Sequence, residues 1–98
     1  MFNKLKQMKE LRDQASQLKN ALAEETVRGE AKDGKILIVM DGNQHIQKLN
    51  IDSSLLAPEH KAEVEEGVRE AIEKAIREVQ KMMAQKIQQG DISMPNFS

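Results

Sequence analysis

The chain of 98 residues contains no cysteine, no tryptophan and no tyrosine. Without cysteine there is no disulfide framework, no thiolate chemistry and no Cys-ligated zinc. No apolar run approaches the ~18 residues of a membrane-spanning helix. Residues 1–6 also lack the apolar core of a secretory signal peptide. We therefore expect a cytoplasmic protein that has no membrane partner.

Aromatic residues are nearly absent, because two phenylalanines are the whole aromatic set. A single domain of this length usually builds its core from larger side chains, whereas here the apolar residues are Ile, Leu, Val, Met and Ala. Together with abundant Glu, Lys and Gln, this composition predicts a helix-rich and oligomeric protein. The net charge of −1 does not discriminate between partners, so only the distribution of charge can.

The hydrophobic periodicity predicts five elements in the order α-β-β-β-α, an α+β fold. Apolar residues recur at steps of three and four through residues 1–25, which is typical of a helix that packs lengthwise against another helix. Residues 26–52 predict a three-stranded antiparallel meander with turns at Lys32-Asp33-Gly34 and Asp41-Gly42. The run 35–40 is apolar throughout, so we expect both faces of that strand to be covered. We also expect Gly42 to adopt a positive φ.

A second long helix is predicted from Pro58 to about Gln89, where Gly90 stops it. Residues 1–90 therefore form a single domain, and residues 91–98 are predicted to be a disordered tail. The two helices would be roughly 37 and 45 Å long at ~1.5 Å per residue. Strands of this kind span only about 20 Å, so the sheet cannot cover both helices. The uncovered apolar stripes must pack against each other, against a second subunit, or both, and a homodimer is the simplest solution.

No combination of residues in the sequence indicates an enzyme. His45 and His60 have no ligand-spaced partners, Ser53 and Ser54 occupy no nucleophile motif, and no glycine-rich phosphate loop is present. Pairs of glutamates in the second helix are best interpreted as a solvated acidic face. We expect no catalytic residue, no metal, no cofactor and no small-molecule substrate.

Charge is segregated along the chain despite the net value. Residues 1–19 and 74–86 each carry +3, whereas residues 59–73 carry −4. If the helices pack antiparallel, the two basic segments come together at the ends farthest from the sheet, and a dimer doubles their charge. This pattern predicts contacts to a DNA backbone, with weak sequence preference. The predicted DNA-binding residues are Lys4, Lys6, Lys9, Arg12, Lys19, Lys74, Arg77, Lys81 and Lys86.

A protein-interaction or scaffold module on the same helical dimer is the alternative, because mixed Lys and Glu surfaces also keep coiled helices soluble.

Several short segments, in this order and spacing, resemble the YbaB/EbfC family of bacterial nucleoid-associated proteins. They are Met1 to Met8 at the start of the first helix, Val27-Arg28-Gly29-Glu30-Ala31, Asp41-Gly42, Ile51 to Leu56, and Pro58-Glu59-His60-Lys61. The resemblance extends along almost the whole chain. It implies a tweezer-like α-β-β-β-α homodimer that binds double-stranded DNA, has no catalytic activity and lies in the cytoplasm at the nucleoid.

Overall fold

The structure is a computed structural model that describes residues 2–90, and it has the predicted order of elements. Helix α1 and helix α2 flank three strands, and two single 3-10 turns connect the last strand to α2. The bounds are α1 Phe2–Ala23, β1 Thr26–Ala31, β2 Ile36–Asp41, β3 Ile46–Ile51, the 3-10 turns Ser53–Leu55 and Pro58–His60, and α2 Lys61–Gln89. The predicted disordered tail at residues 91–98 lies outside the described residues.

The three strands form one antiparallel sheet in the order β1-β2-β3, as the meander prediction requires. In the first turn the Lys35 N–H donates to the Lys32 carbonyl at 3.1 Å. Asp33 and Gly34, the two central residues of this turn, have φ values of 57° and 83°. Positive φ at both central residues is what a type I′ turn requires, and the twist of such a turn matches that of the flanking strands. Lys32, which precedes them, also has a positive φ, of 55°. The prediction of a tight turn at this position is confirmed.

The second turn differs from its prediction at Gly42. The positive φ expected at Gly42 is wrong, because Gln44 holds the left-handed conformation of this turn, with φ 64°. Gly42 is instead required by a close approach of α1, since a Cβ on Gly42 would lie 2.6 Å from the Leu22 carbonyl oxygen. The loop is therefore a turn followed by one left-handed residue, a common three-residue hairpin connection.

The core lies between α2 and one face of the sheet, mainly against β1 and β2. Its fully or almost fully buried side chains are Ala31, Ile36, Ile38, Met40, Leu55, Ala71, Ala75 and Val79. Small residues on α2 bring the helix backbone close to β1. A Cβ on Gly29 would overlap the Ala71 carbonyl oxygen and lie 2.7 Å from the Ala75 nitrogen. Gly29 thus allows the close contact between strand and helix, which determines where the side chains of α2 lie relative to the edge of β1.

The opposite face of the sheet is open in the described part of the chain. Leu37 and Val39 lie on it and are half-buried, while no helix in residues 2–90 covers them. The expectation that both faces of β2 are covered is therefore wrong for one chain. One helix packs on the sheet, and the other projects from its end.

Helix α1 leaves most of its length exposed. The exposed fractions of Leu5 and Met8 are 69% and 64%. Leu22, in the last turn of the helix, is buried. The molecule is accordingly long, with extents of 64 × 26 × 20 Å. The antiparallel packing of α1 on α2, which the charge argument took as its condition, does not occur within one chain, because α1 approaches the rest of the described chain only near its C-terminal end.

Candidate nucleic-acid interface

Four of the predicted basic residues of α1 lie on the projecting part of the helix, and the fifth, Lys19, lies where the β2–β3 turn contacts the helix. Lys4, Lys6, Lys9, Arg12 and Lys19 are exposed, and none of them forms an ion pair within residues 2–90. They do not share one face. Lys4 continues the 4-3-4 spacing of the apolar stripe, whereas Lys6 and Lys9 lie on the far side of the helix. The projecting part of α1, called the arm below, therefore carries cations around much of its circumference.

On α2, Lys74, Arg77 and Lys81 are spaced by three and four residues, so they lie on one side of the helix. Arg77 and Lys81 are exposed and have no ion-pair partner among the described residues. Lys74 is already occupied, because its Nζ donates to the Glu30 carbonyl at 3.1 Å and lies 3.1 Å from Glu70 Oε1. Arg77 and Lys81 are therefore the free cations of this row.

Lys86 lies in the last turns of α2 and contacts the connection between α1 and β1. Its Nζ is 2.7 Å from Glu25 Oε1, and the exposed fractions of the two side chains are 26% and 37%. The nitrogen–oxygen distance of this pair is shorter than the 3.1 Å of the Lys74–Glu70 pair. The structure thus connects the C-terminal part of α2 to residues 19–25, which are the last turns of α1 and the connection to β1 and are called the root of α1 below.

Arg28 is a basic residue that the charge map of the sequence did not include. It lies on the open edge of β1 and lines a shallow groove of about 420 Å³ with Lys74, Arg77, Glu30 and Glu78. The groove exists because α2 packs so closely on Gly29. No signal in the sequence places residue 28 beside residue 77, since their proximity depends on the crossing of helix and strand.

The carboxylates at the start of α2 lie at the opposite end of the sheet from the α1 arm. Glu66 lies 3.8 Å from Lys32 in the β1–β2 turn, and the start of α2 sits beside this turn. The root of α1 contacts the other end of the sheet, where the Gly42 N–H donates to the Leu22 carbonyl at 2.9 Å. The acidic start of α2 is therefore separated from the basic arm by the length of the sheet. The charge segregation predicted from the sequence is thus spatial as well as sequential.

The β2–β3 turn holds the root of α1, and a buried carboxylate organises that turn. Asp41 Oδ1 accepts the backbone N–H groups of Asn43 and His45 at 2.8 and 3.0 Å, and Oδ2 accepts Gln47 Nε2 at 2.8 Å. The His45 backbone hydrogen bond is the largest influence that lowers the pKa of Asp41 below 3.8, and it outweighs the opposing effect of burial. Asn43 Nδ2 then donates to the Lys19 carbonyl at 2.9 Å.

Each of the two histidines lies beside a carboxylate. His45 is exposed, with Nδ1 3.8 Å from Asp41 Oδ2, and His60 Nδ1 is 3.1 Å from Glu63 Oε2. In the described part of the chain no group of three His, Asp or Glu side chains is arranged to hold a metal ion. None of the helices described is long and apolar enough to cross a membrane.

Comparison with known proteins points to one family. The sequence model of the YbaB/EbfC DNA-binding family matches residues 1–91. A nucleoid-associated protein of Syntrophobacter fumaroxidans is 27% identical over 98 residues, covering 98% of this chain and 89% of the relative. One from Beijerinckia indica is 32% identical, with 97% and 96% covered.

A solved structure has the same fold. The crystal structure of an uncharacterized protein from Helicobacter pylori superimposes with a TM-score of 0.63, covering 80% of this chain and 90% of that one. The two sequences are 19% identical, so this similarity bears on the fold alone.

Proposed function

Because the chain belongs to the YbaB/EbfC DNA-binding family, we propose that it is a non-enzymatic nucleoid-associated protein that binds duplex DNA as a homodimer. The names of its relatives support the association with the nucleoid, and hence a cytoplasmic location. The proposed contacts are made to the DNA backbone by the basic parts of both helices. No cofactor or small-molecule substrate takes part.

The exposed apolar surface of the chain supports the homodimer. The apolar residues in the N-terminal part of α1 are exposed, Leu5 to 69% and Met8 to 64%, and Ile46 and Leu49 on β3 are 49% and 50% exposed. Most of the stability of a helix in a protein comes from packing its apolar face, so α1 needs a surface to pack against. Since its own α2 does not supply that surface, a second copy of the chain is the proposed partner.

The dimer prediction is tested by sedimentation equilibrium at micromolar concentration. The expected mass is about twice the 11.1 kDa of one chain. Leu11→Glu places a charge in the stripe and should shift the mass toward the monomer, whereas Gln17→Glu, on the far side of α1, should leave it unchanged. A folded monomer with a sharp melting transition would contradict the proposal.

One observation carries the proposal of DNA binding through the arms. On α1 and on the C-terminal half of α2, the exposed cations have no ion-pair partner among the described residues, whereas in the first half of α2 the carboxylates outnumber the cations. Lys6, Lys9, Arg12, Arg77 and Lys81 are the residues most available for phosphate contacts. Lys4 and Lys19 also belong to this set, and Lys74 must first leave the partners described above.

Fluorescence anisotropy of a labelled duplex at several salt concentrations tests this interface. Phosphate contacts release counterions, so log K should fall linearly with log[salt], by ~0.9 for each phosphate contacted. Replacing Lys6 and Lys9 with Glu should weaken binding to all sequences about equally and flatten the slope. The matched control makes the same replacement at Lys32 and Lys35, in the β1–β2 turn. An equal loss from this control would move the interface to the sheet.

The alternative is a scaffold or protein-interaction module on the same dimer. The apolar stripe of α1 favours it, because that stripe is typical of helices that pair with other helices. A scaffold whose lysines only maintain solubility predicts no salt-dependent complex with duplex DNA in the same titration. The anisotropy experiment therefore separates the two functions.

A further inference from the structure

Lys86 was predicted from its charge to contact DNA, but its position differs from that of the free cations on α2. Its ammonium group lies 2.7 Å from the Glu25 carboxylate, and both side chains are half-buried. Glu25 belongs to the short connection between α1, which ends at Ala23, and β1, which begins at Thr26. The ion pair therefore joins the C-terminal part of α2 to the root of the α1 arm.

Two hydrogen bonds hold the same root from the side of the sheet. The Gly42 N–H donates to the Leu22 carbonyl and Asn43 Nδ2 donates to the Lys19 carbonyl, each at 2.9 Å. The Leu22 carbonyl belongs to the last turn of α1, where helix carbonyls lack partners within the helix, and the Lys19 carbonyl lies one turn before it. The β2–β3 turn and α2 thus grip the base of the arm from two directions.

We infer that Lys86 is a positioning residue for DNA binding: its ion pair with Glu25, together with the contacts from Gly42 and Asn43, sets the angle between α1 and α2. This inference rests on the proposed function. The phosphate contacts are made by other cations, and Lys86 fixes how far apart those cations stand. Its charge acts on Glu25 rather than on the DNA.

The length of the arm makes the angle important. Helix α1 has 22 residues, so at ~1.5 Å per residue it is about 33 Å long. A rotation of about 10° at its root moves the N-terminal end by about 6 Å for an arm of that length. Successive phosphates of one DNA strand are only ~3.4 Å apart along the helix axis. A small change of angle therefore takes the arm out of register with the DNA backbone.

Charge-reversal variants distinguish a positioning role from a phosphate contact by the sign of their effects. Lys86→Glu and Glu25→Lys each destroy the ion pair but change the net charge in opposite directions. If Lys86 positions the arm, both variants should weaken DNA binding, by roughly 5- to 10-fold. The double variant, in which the charges are exchanged, should return to within about twofold of the parent.

If Lys86 contacts a phosphate, the results are different. Glu25→Lys then leaves DNA binding unchanged or strengthens it, because it adds a cation near the DNA. The exchanged double variant stays as weak as Lys86→Glu, and the salt slope falls by ~0.9. This outcome would overturn the inference.

Two controls separate the ion pair from charge alone. Glu24→Lys makes the same charge change as Glu25→Lys at an exposed neighbour that has no ion pair among the described residues, so binding should not weaken. Lys81→Glu makes the same change as Lys86→Glu at an exposed site, and it should weaken binding and reduce the salt slope. Glu25→Gln and Lys86→Gln give neutral versions if a reversed charge impairs folding.

A distance measurement tests the inference without DNA. The chain has no cysteine, so spin labels on Gln7→Cys in α1 and Gln85→Cys in α2 are unique. Labelled chains diluted in an excess of unlabelled chains report the distance within one protomer. The single reversals or their neutral versions should shift or broaden this distance, and the exchange should restore it. An unchanged distance would refute the positioning role. If the parent binds no DNA while the distance responds as expected, only the proposed function fails.

Discussion

Replacing Gly42 with alanine should destabilise the protein through a steric conflict with the root of α1. The new Cβ would lie 2.6 Å from the Leu22 carbonyl oxygen, 2.9 Å from Leu22 Cβ and 3.1 Å from Leu22 Cα. Two of these three atoms are backbone, so no rotamer change removes the conflict. The arm must move away, which strains the hydrogen bond from the Gly42 N–H to Leu22. Forced overpacking of this kind costs ~1–3 kcal/mol, and the larger Gly42→Val should cost at least as much.

Urea unfolding followed by circular dichroism at a fixed protein concentration measures this loss. For a slope of ~1–3 kcal/mol per molar urea, a loss of about 2 kcal/mol lowers the midpoint by about 1 M. The concentration must be fixed because association of chains contributes to the apparent stability. Midpoints that coincide for the parent and Gly42→Ala would refute the steric argument.

Gly34 provides the matched control because its requirement is conformational. Its φ is 83°, while a Cβ added at this position would have its nearest neighbour, Glu30 Oε2, 4.0 Å away. Asparagine tolerates the left-handed region better than alanine does. Gly34→Asn should therefore be milder than Gly34→Ala. At Gly42 both substitutions should be damaging, since both add a Cβ. An asparagine that rescues Gly42 would restore the positive-φ explanation that the structure contradicts.

Two further predictions concern the same turn. Gln44→Gly should stabilise the protein by about 0.5–1 kcal/mol, because glycine adopts the positive φ of this position without steric cost; a melting temperature equal to or below that of the parent would contradict it. The pKa of the Asp41 carboxyl is lower in the folded protein than the ordinary value of 3.8. Its ionised form therefore stabilises the fold at pH values above 3.8, and this stabilisation is lost as the pH falls through the pKa of the folded state. Asp41→Asn should therefore be less stable than the parent at neutral pH and lose less stability on acidification below about pH 4, as urea midpoints measured at several pH values would reveal.

Much of the secondary structure could be predicted because it depends on neighbours in the sequence. The stripe from Met8 to Leu22 predicted α1, and the alternation around Leu49 predicted β3. Gly90 ends α2 in the left-handed conformation, with φ 77°. Its N–H donates to the carbonyls of Ile87 and Lys86. Each of these signals acts over one helical turn or one strand. The family could also be recognised, since its segments follow one another at a fixed spacing.

Predictions that required two distant segments to meet were less successful. The apolar run in β2 suggested two covered faces, but nothing in that run specifies that only one helix packs on the sheet. Asp41-Gly42 suggested a positive φ at Gly42, whereas the glycine is required by Leu22, which is 20 residues earlier in the chain. Turn rules describe a segment in isolation, and they contain no information about a helix that approaches from outside.

The sequence by itself determined the five elements, the absence of cysteine chemistry and the segregation of charge, because composition and periodicity are local properties of the chain. Only the tertiary structure decided which cations are free. It placed Lys86 against Glu25 and Lys74 against Glu30 and Glu70, and it left Arg77 exposed beside Arg28. Charge counts treat every lysine alike. A lysine is available to a phosphate only if the fold leaves its ammonium group without a nearer carboxylate or carbonyl, and that depends on how the helices cross the sheet.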